Sequence, residues 1–146
     1  MNENASLFFV DRHVDSHIKE KKAFIEYGSN QKFITYADLH EQSSKLRHFF
    51  SKFKINREDR VIILMQDVIS YPIIFWGCLK SGVIPVLLNT LLSSEVVNDI
   101  INNSRAKAVF ISSGLLSSFE NSVKKNVNIK HIIEVGTKTV SYTHLT

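Results

Sequence analysis

Between Arg60 and Leu92 the chain alternates long apolar runs with short polar breaks, and the rest of the sequence is organised around this stretch. Val61-Ile62-Ile63-Leu64-Met65 carries no charge and is rich in β-branched residues, the pattern of a strand buried on both faces of a parallel sheet. Gln66-Asp67 interrupts it. Ser70 stands where a helix N-cap belongs, and Pro72 falls in the first turn, where its missing N–H costs nothing. Ile73 to Leu79 is apolar on every side, which predicts a buried helix with Trp76 in the core. Lys80 suits the negative end of the helix dipole, and Gly82 the left-handed position that ends many helices. Val83 to Leu88 returns as a second strand, with Pro85 counting against a central place in the sheet.

The same punctuation extends in both directions. Upstream, Ala23–Tyr27 and Lys32–Ile34 flank Gly28-Ser29-Asn30-Gln31 and predict a β-hairpin. Thr35 and Asp38 then form a capping box, opening a helix whose buried face carries Leu39, Leu46, Phe49 or Phe50, and Phe53. Downstream, Ser93-Ser94-Glu95 starts a helix with a stripe of Val96, Val97, Ile100 and Ile101, fraying at Asn102-Asn103-Ser104. Ala108–Ile111 is a third strand, Leu115, Leu116, Phe119 and Val123 mark a third helix of the repeat, and His131–Val135 is a fourth strand. Strand starts near Val61, Ile84, Lys107 and His131 lie 23, 23 and 24 residues apart. That step is β-α repetition and predicts a right-handed, mostly parallel sheet.

Composition changes this picture little. A chain of 146 residues with 44% hydrophobic and 22% charged residues is an ordinary globular composition with room for one core. Eighteen basic against fourteen acidic residues leave a net charge of +4. The basic residues are scattered, without a basic stripe interleaved with stacking aromatics, so nucleic acid is not an expected partner. The single cysteine, Cys78, cannot form an internal disulfide and sits in the apolar helix as a small hydrophobe; this fits a cytoplasmic location. Met1–Ala5 lacks the pattern of a signal peptide, and the uncharged stretch Val68–Leu79, broken by Pro72, is short of the roughly 20 residues of a membrane span.

A family resemblance rests on the central stretch. The strand, the polar break, the apolar helix ending Leu79-Lys80-Ser81-Gly82, then Val83-Ile84-Pro85-Val86 and Leu88-Asn89 resemble the adenylate-forming enzymes, which include acyl-CoA synthetases. Asn89-Thr90-Leu91-Leu92, Asn103-Ser104-Arg105-Ala106 and Val10-Asp11-Arg12-His13 most resemble benzoate-type aromatic acid-CoA ligases. The similarity runs from about Val10 to Gly136. It implies an α/β fold in which a hairpin and long helix precede β-α repeats forming a partial, mostly parallel sheet, the N-terminal part of the acyl-CoA synthetase fold. Residues 1–22 are then a polar lead-in, 23–139 an incomplete AMP-binding domain, and 140–146 an unmatched tail.

The resemblance implies a parent enzyme using ATP, Mg2+ and coenzyme A to activate a small carboxylic acid, with the remainder of the parent chain as partner. The family's Ser/Thr/Gly-rich loop ending in lysine, its ribose-binding acid and its C-terminal lysine all lie downstream of the matched region. No catalytic, cofactor-binding or metal residue is therefore assigned, and the chain alone is expected to be inactive. Its sheet is expected to keep an unpaired edge. Weaker candidates are weighed on the residues themselves. His13 and His17 have helical zinc spacing without a third ligand. Ile111-Ser112-Ser113-Gly114 sits between a strand and a helix but has one glycine and no G-x-x-x-x-G-K-S/T pattern. Gln66, Asp67, Asn89, Thr90, Ser112, Ser113 and Thr137 crowd the carboxyl ends of the strands, where a site would lie in such a sheet, and equally serve as caps and turns. The competing reading is a free-standing, non-catalytic α/β binding or interaction module.

Overall fold

A computed structural model describes residues 4–28, 31–136 and 140–144. The chain forms two compact units, one of Met1–Asn56 with Asp67–Gly82 and one of Arg57–Gln66 with Val83–Thr146.

The first unit is a hairpin with helices. Helix α1 spans Ala5–Phe9, β1 Lys22–Glu26, β2 Lys32–Thr35, α2 Tyr36–Lys52 and α3 Ser70–Ser81. Strands β1 and β2 pair antiparallel, as the hairpin pattern predicts. The capping box of α2 is present: Thr35 Oγ1 accepts from Asp38 N at 3.1 Å, and Asp38 Oδ2 accepts from Thr35 N at 2.9 Å. The bond from Thr35 N, and then a second from Thr35 Oγ1 to the same Asp38 Oδ2 at 2.8 Å, hold the Asp38 carboxyl below the usual carboxylate range. Leu39 and Phe50 are buried on α2, as the stripe requires, and Val10 and Ile34 join Leu39 in a small core against which Ile69, Ile73 and Trp76 pack.

Helix α3 departs from its sequence pattern at three points. Only Ile74, Gly77 and Cys78 are fully buried and every other residue of the helix is half-buried, so its enclosure is partial along the whole length. Trp76 is accordingly half-buried, with its ring 6.0 Å from that of Phe9, and not a core residue. Ser70 lies inside the first turn instead of capping it. The cap position is Ile69, whose N–H is accepted by Glu26 Oε2 at 2.8 Å. A carboxylate from the hairpin thus supplies at the helix N-terminus what local sequence was expected to supply. Gly82 ends the helix in the left-handed conformation, at φ 71°.

The second unit is the sheet. Strands β3 (Arg60–Leu64), β4 (Ile84–Leu87), β5 (Ala108–Ser112), β6 (His131–Val135) and β7 (Val140–His144) run in the order β4-β3-β5-β6-β7. The first four are mutually parallel and β7 pairs antiparallel with β6. Val61, Ile62, Ile63 and Leu64 are fully buried, which is why β3 carries no polar alternation. Pro85 is tolerated because β4 is an edge strand. Among the described residues β4 and β7 are the two edge strands of this sheet.

Helices α4 (Ser94–Ser104) and α5 (Leu116–Lys124) pack on this sheet around Ile62, Leu64, Val109, Ile111 and Ile132. Val97 and Ile101 of α4 are buried, each contributing about 1.5–3 kcal/mol of transfer free energy. Val96, expected in that stripe, is 41% exposed. The helix runs through Asn102-Asn103 to Ser104 instead of fraying, because Arg60 Nε donates to Ser104 O at 2.8 Å and satisfies a terminal carbonyl.

Candidate functional site

Parallel strands bring their carboxyl ends to one edge, and β3 and β5 deliver the polar residues singled out there. Ser112 closes β5 and is buried; its Oγ accepts from Gln66 N at 3.0 Å, so this pair joins the exits of two neighbouring strands. Ser113 and Gly114 continue into a 3-10 turn at Ser113–Leu115, and both are exposed. A Cβ added to Gly114 would meet nothing within 4 Å, so no close backbone cradle demands glycine there. Asn89 Oδ1 accepts from Leu91 N at 2.9 Å, a local turn bond. Thr90 is half-buried, and Thr137 lies outside the described residues. Asp67 is exposed, and it borders a cleft with Val68, Ile69 and Tyr71. Burial, then the Asp67 charge, push the Tyr71 phenol up.

The candidate residues thus fall into local turns and one strand-to-strand bond. Gln66 and Ser112 are brought together. Asn89 serves its own turn. A triphosphate needs converging N–H groups and cations, and the Ser112–Gly114 turn does not assemble them. Among the described residues no group of three or more His, Cys, Asp or Glu is placed to hold a metal ion.

The histidine pair does not share a helix turn as its spacing suggested. His13 lies in a 3-10 turn, Asp11–His13, and its ring packs on Tyr36 with centroids 4.6 Å apart. His17 is exposed. Cys78 is fully buried, and burial pushes its thiol up, away from the reactive thiolate form. No helix among the described residues is long and apolar enough to cross a membrane.

One charged cluster was not anticipated. Asp11 Oδ1 accepts from Lys80 Nζ at 2.6 Å and from His40 Nδ1 at 2.7 Å. Lys80 Nζ also donates to His40 O at 3.2 Å and to Ser44 Oγ at 3.0 Å, and its side chain is only 9% exposed. Burial opposes the charge on Asp11, but the Lys80 and His40 hydrogen bonds outweigh it and hold the carboxyl below its usual range. The cluster ties the lead-in to α2 and to the C-terminal turn of α3. Asn4 adds to that tie, since its Nδ2 donates to Leu79 O at 2.7 Å. The only advance signal was Val10-Asp11-Arg12-His13, noted for resemblance and not for charge.

Comparison with known proteins places this geometry. The AMP-binding enzyme family matches residues 10–145, reaching into the segment expected to fall outside it. A 4-hydroxybenzoate–CoA/benzoate–CoA ligase of Rhodopseudomonas palustris is 32% identical over 133 residues, covering 91% of this chain and 24% of the ligase. Among solved structures, an acyl-CoA synthetase of Brucella canis aligns with a TM-score of 0.82 at 17% identity, covering 97% of this chain and 25% of that one. A benzoate CoA ligase of Burkholderia xenovorans LB400 aligns at 0.73 and 21% identity, covering 92% and 26%. The two structures share the fold. The chain spans about a quarter of the length of the relatives it matches. On the family match and the identity to a curated ligase, the chain belongs to the AMP-binding enzymes.

Proposed function

We propose that this chain is the N-terminal part of an ATP-dependent acid-CoA ligase that activates a carboxylic acid, of aromatic type, as its acyl-adenylate and transfers the acyl group to coenzyme A. The observation that carries the reading is the family match over residues 10–145 together with 32% identity to a benzoate-class ligase across 91% of the chain. It favours the ligase over the free-standing module. ATP, Mg2+ and coenzyme A belong to the whole enzyme, which works in the cytoplasm on this reading. The residues present do not fit a triphosphate cradle, because Ser112 and Asn89 are spent on the backbone of Gln66 and Leu91. This portion therefore supplies scaffold: the parallel sheet and the capped helices on which later elements assemble. On this reading the catalytic residues lie downstream, and none is assigned among the described residues.

Acid-dependent ATP–pyrophosphate exchange tests the reading. The isolated chain should neither bind ATP tightly by calorimetry nor exchange pyrophosphate with any acid of a panel. The chain expressed with the coding sequence that follows codon 146 should exchange with benzoate or 4-hydroxybenzoate. Micromolar ATP binding by the isolated chain would sink the division of labour, and an extended protein with no exchange for any carboxylic acid would sink the ligase.

A further inference from the structure

Lys80 carries a charge that water barely reaches, and one carboxylate answers it. Its side chain is 9% exposed, and among the described residues Asp11 is its one ion-pair partner, at 2.6 Å. Its other acceptors, His40 O and Ser44 Oγ, are neutral. Helix α3 has no acid, and the two acids of α2 are engaged elsewhere, Asp38 with Thr35 and Glu41 with Lys45. The lead-in that supplies Asp11 is fastened at its other points by neutral contacts. Asn4 Nδ2 donates to Leu79 O, Val10 is fully buried, and the carbonyls of Lys19 and Lys21 accept from Ala37 N and Tyr36 N at 3.0 and 3.2 Å. Taking one partner from a desolvated ion pair strands the other charge, a far larger loss than breaking an exposed pair. Without the Asp11 charge, Lys80 has to carry its ammonium out to water, and its backbone is part of the last turn of α3.

We propose that residues 4–21 are a strap with one charged fastening: the negative charge of Asp11 keeps the last turn of α3 closed on α2, and its loss opens that turn while the rest of the fold stays shut. Strap, α2 and α3 all belong to the first unit, so the inference stands apart from the ligase reading. His40 shares the same carboxylate oxygen at 2.7 Å, but its side chain is 38% exposed. Water is an alternative partner for that imidazole, which therefore adds little to the closure. The strap makes a polar stretch, weakly patterned in sequence, the part that sets how often the end of α3 opens.

Native-state hydrogen exchange, on the protein expressed with the coding sequence that follows codon 146, tests the strap. Amides of residues 77–82 report the last turn of α3, and those of residues 108–112 in the buried strand β5 report global unfolding. Asp11→Asn leaves an oxygen to accept from Lys80 and removes the charge alone. It should speed exchange at 77–82 by about thirtyfold or more and leave 108–112 within about twofold of the parent. Adding Lys80→Met takes away the stranded cation and should slow 77–82 again by about tenfold. His40→Gln should stay within about threefold of the parent. Exchange at 77–82 in Asp11→Asn within about threefold of the parent would overturn the proposal. Equal acceleration at 108–112, or loss of the fold, would overturn it too, because the opening is then global. A folded double variant as fast as Asp11→Asn would give the closure to shape instead of charge, and a His40→Gln variant as fast as Asp11→Asn would give it to the imidazole; either result removes the fastening from the Asp11 charge.

Discussion

Helices α3 and α4 each connect parallel strands, yet they are specified by opposite means. Helix α4 is held by signals from its own neighbourhood in sequence: Ser93 Oγ accepts from Val96 N at 3.3 Å, Glu95 sits in the first turn, and Val97 and Ile101 form the buried stripe. Helix α3 is held from a distance. Glu26, 43 residues away, caps its N-terminus, and Lys80 in its last turn pairs with Asp11. Gly77 lets Leu46 of α2 approach so closely that an added Cβ would collide with Leu46 Cδ1 and lie 2.8 Å from its Cβ. The ends reverse the contrast. Helix α3 stops at Gly82, the residue suited to a positive φ, whereas α4 stops at Arg105, which holds φ 51° despite its side chain.

The comparison can be broken at each of these points by urea unfolding of variant and parent side by side. Gly77→Val should have the largest effect, a loss of about 2–3 kcal/mol, because Leu46 Cβ cannot swing away as the end of a side chain can. A variant as stable as the parent would show that α2 and α3 do not interlock at glycine. Glu26→Ala should cost about 1–2 kcal/mol by leaving the Ile69 N–H without its acceptor. If Ser70→Ala costs more than Glu26→Ala, the local cap is the true one. Ser93→Ala should cost about 1 kcal/mol at the start of α4. Arg105→Gly should go the other way and stabilise by about 0.5–1 kcal/mol, since glycine occupies the left-handed region without strain. A destabilised Arg105→Gly would mean that the arginine side chain holds more than its backbone costs.

At neutral pH one further test is silent. The Asp11 carboxyl is held below its usual range in the folded chain, so its contribution is fully present above about pH 4, the unfolded value, and is lost as the pH falls through the lower folded one. Asp11→Asn should flatten this acid limb relative to the parent. An acid limb that keeps its slope in Asp11→Asn would assign the effect to other carboxylates, Asp38 first.

The same contrast explains how much was legible from sequence. The capping box at Thr35 and Asp38, Gly82, the Ser93 cap and the near-constant spacing of parallel strands are local chemistry, and each appears where its residues predicted it. Ser70 was misplaced because a serine before an apolar run is a sound local cap, while the actual acceptor came from another element. Trp76 was overburied because a run apolar on all sides says a helix is enclosed without saying by how much. The Asp11–His40–Lys80 cluster was invisible since its members lie 29 and 40 residues apart with no periodicity to connect them. The candidate site was legible only through resemblance. Gln66 and Ser112 were placed at the correct sheet edge, but a strand end looks the same in sequence whether its polar residue faces a ligand or a neighbouring N–H.

The burial of Cys78 makes the chain report on its own breathing. It is the one cysteine in the sequence, it lies next to Gly77 in α3, and no part of it reaches solvent. A thiol reagent can attack only while that part of the molecule is open, and the closed form also disfavours the thiolate. Under fast reclosing, the labelling rate is the free-thiol rate multiplied by the open fraction. Labelling at increasing urea then follows every opening that frees α3, local at low urea and global near the unfolding transition, with no introduced probe.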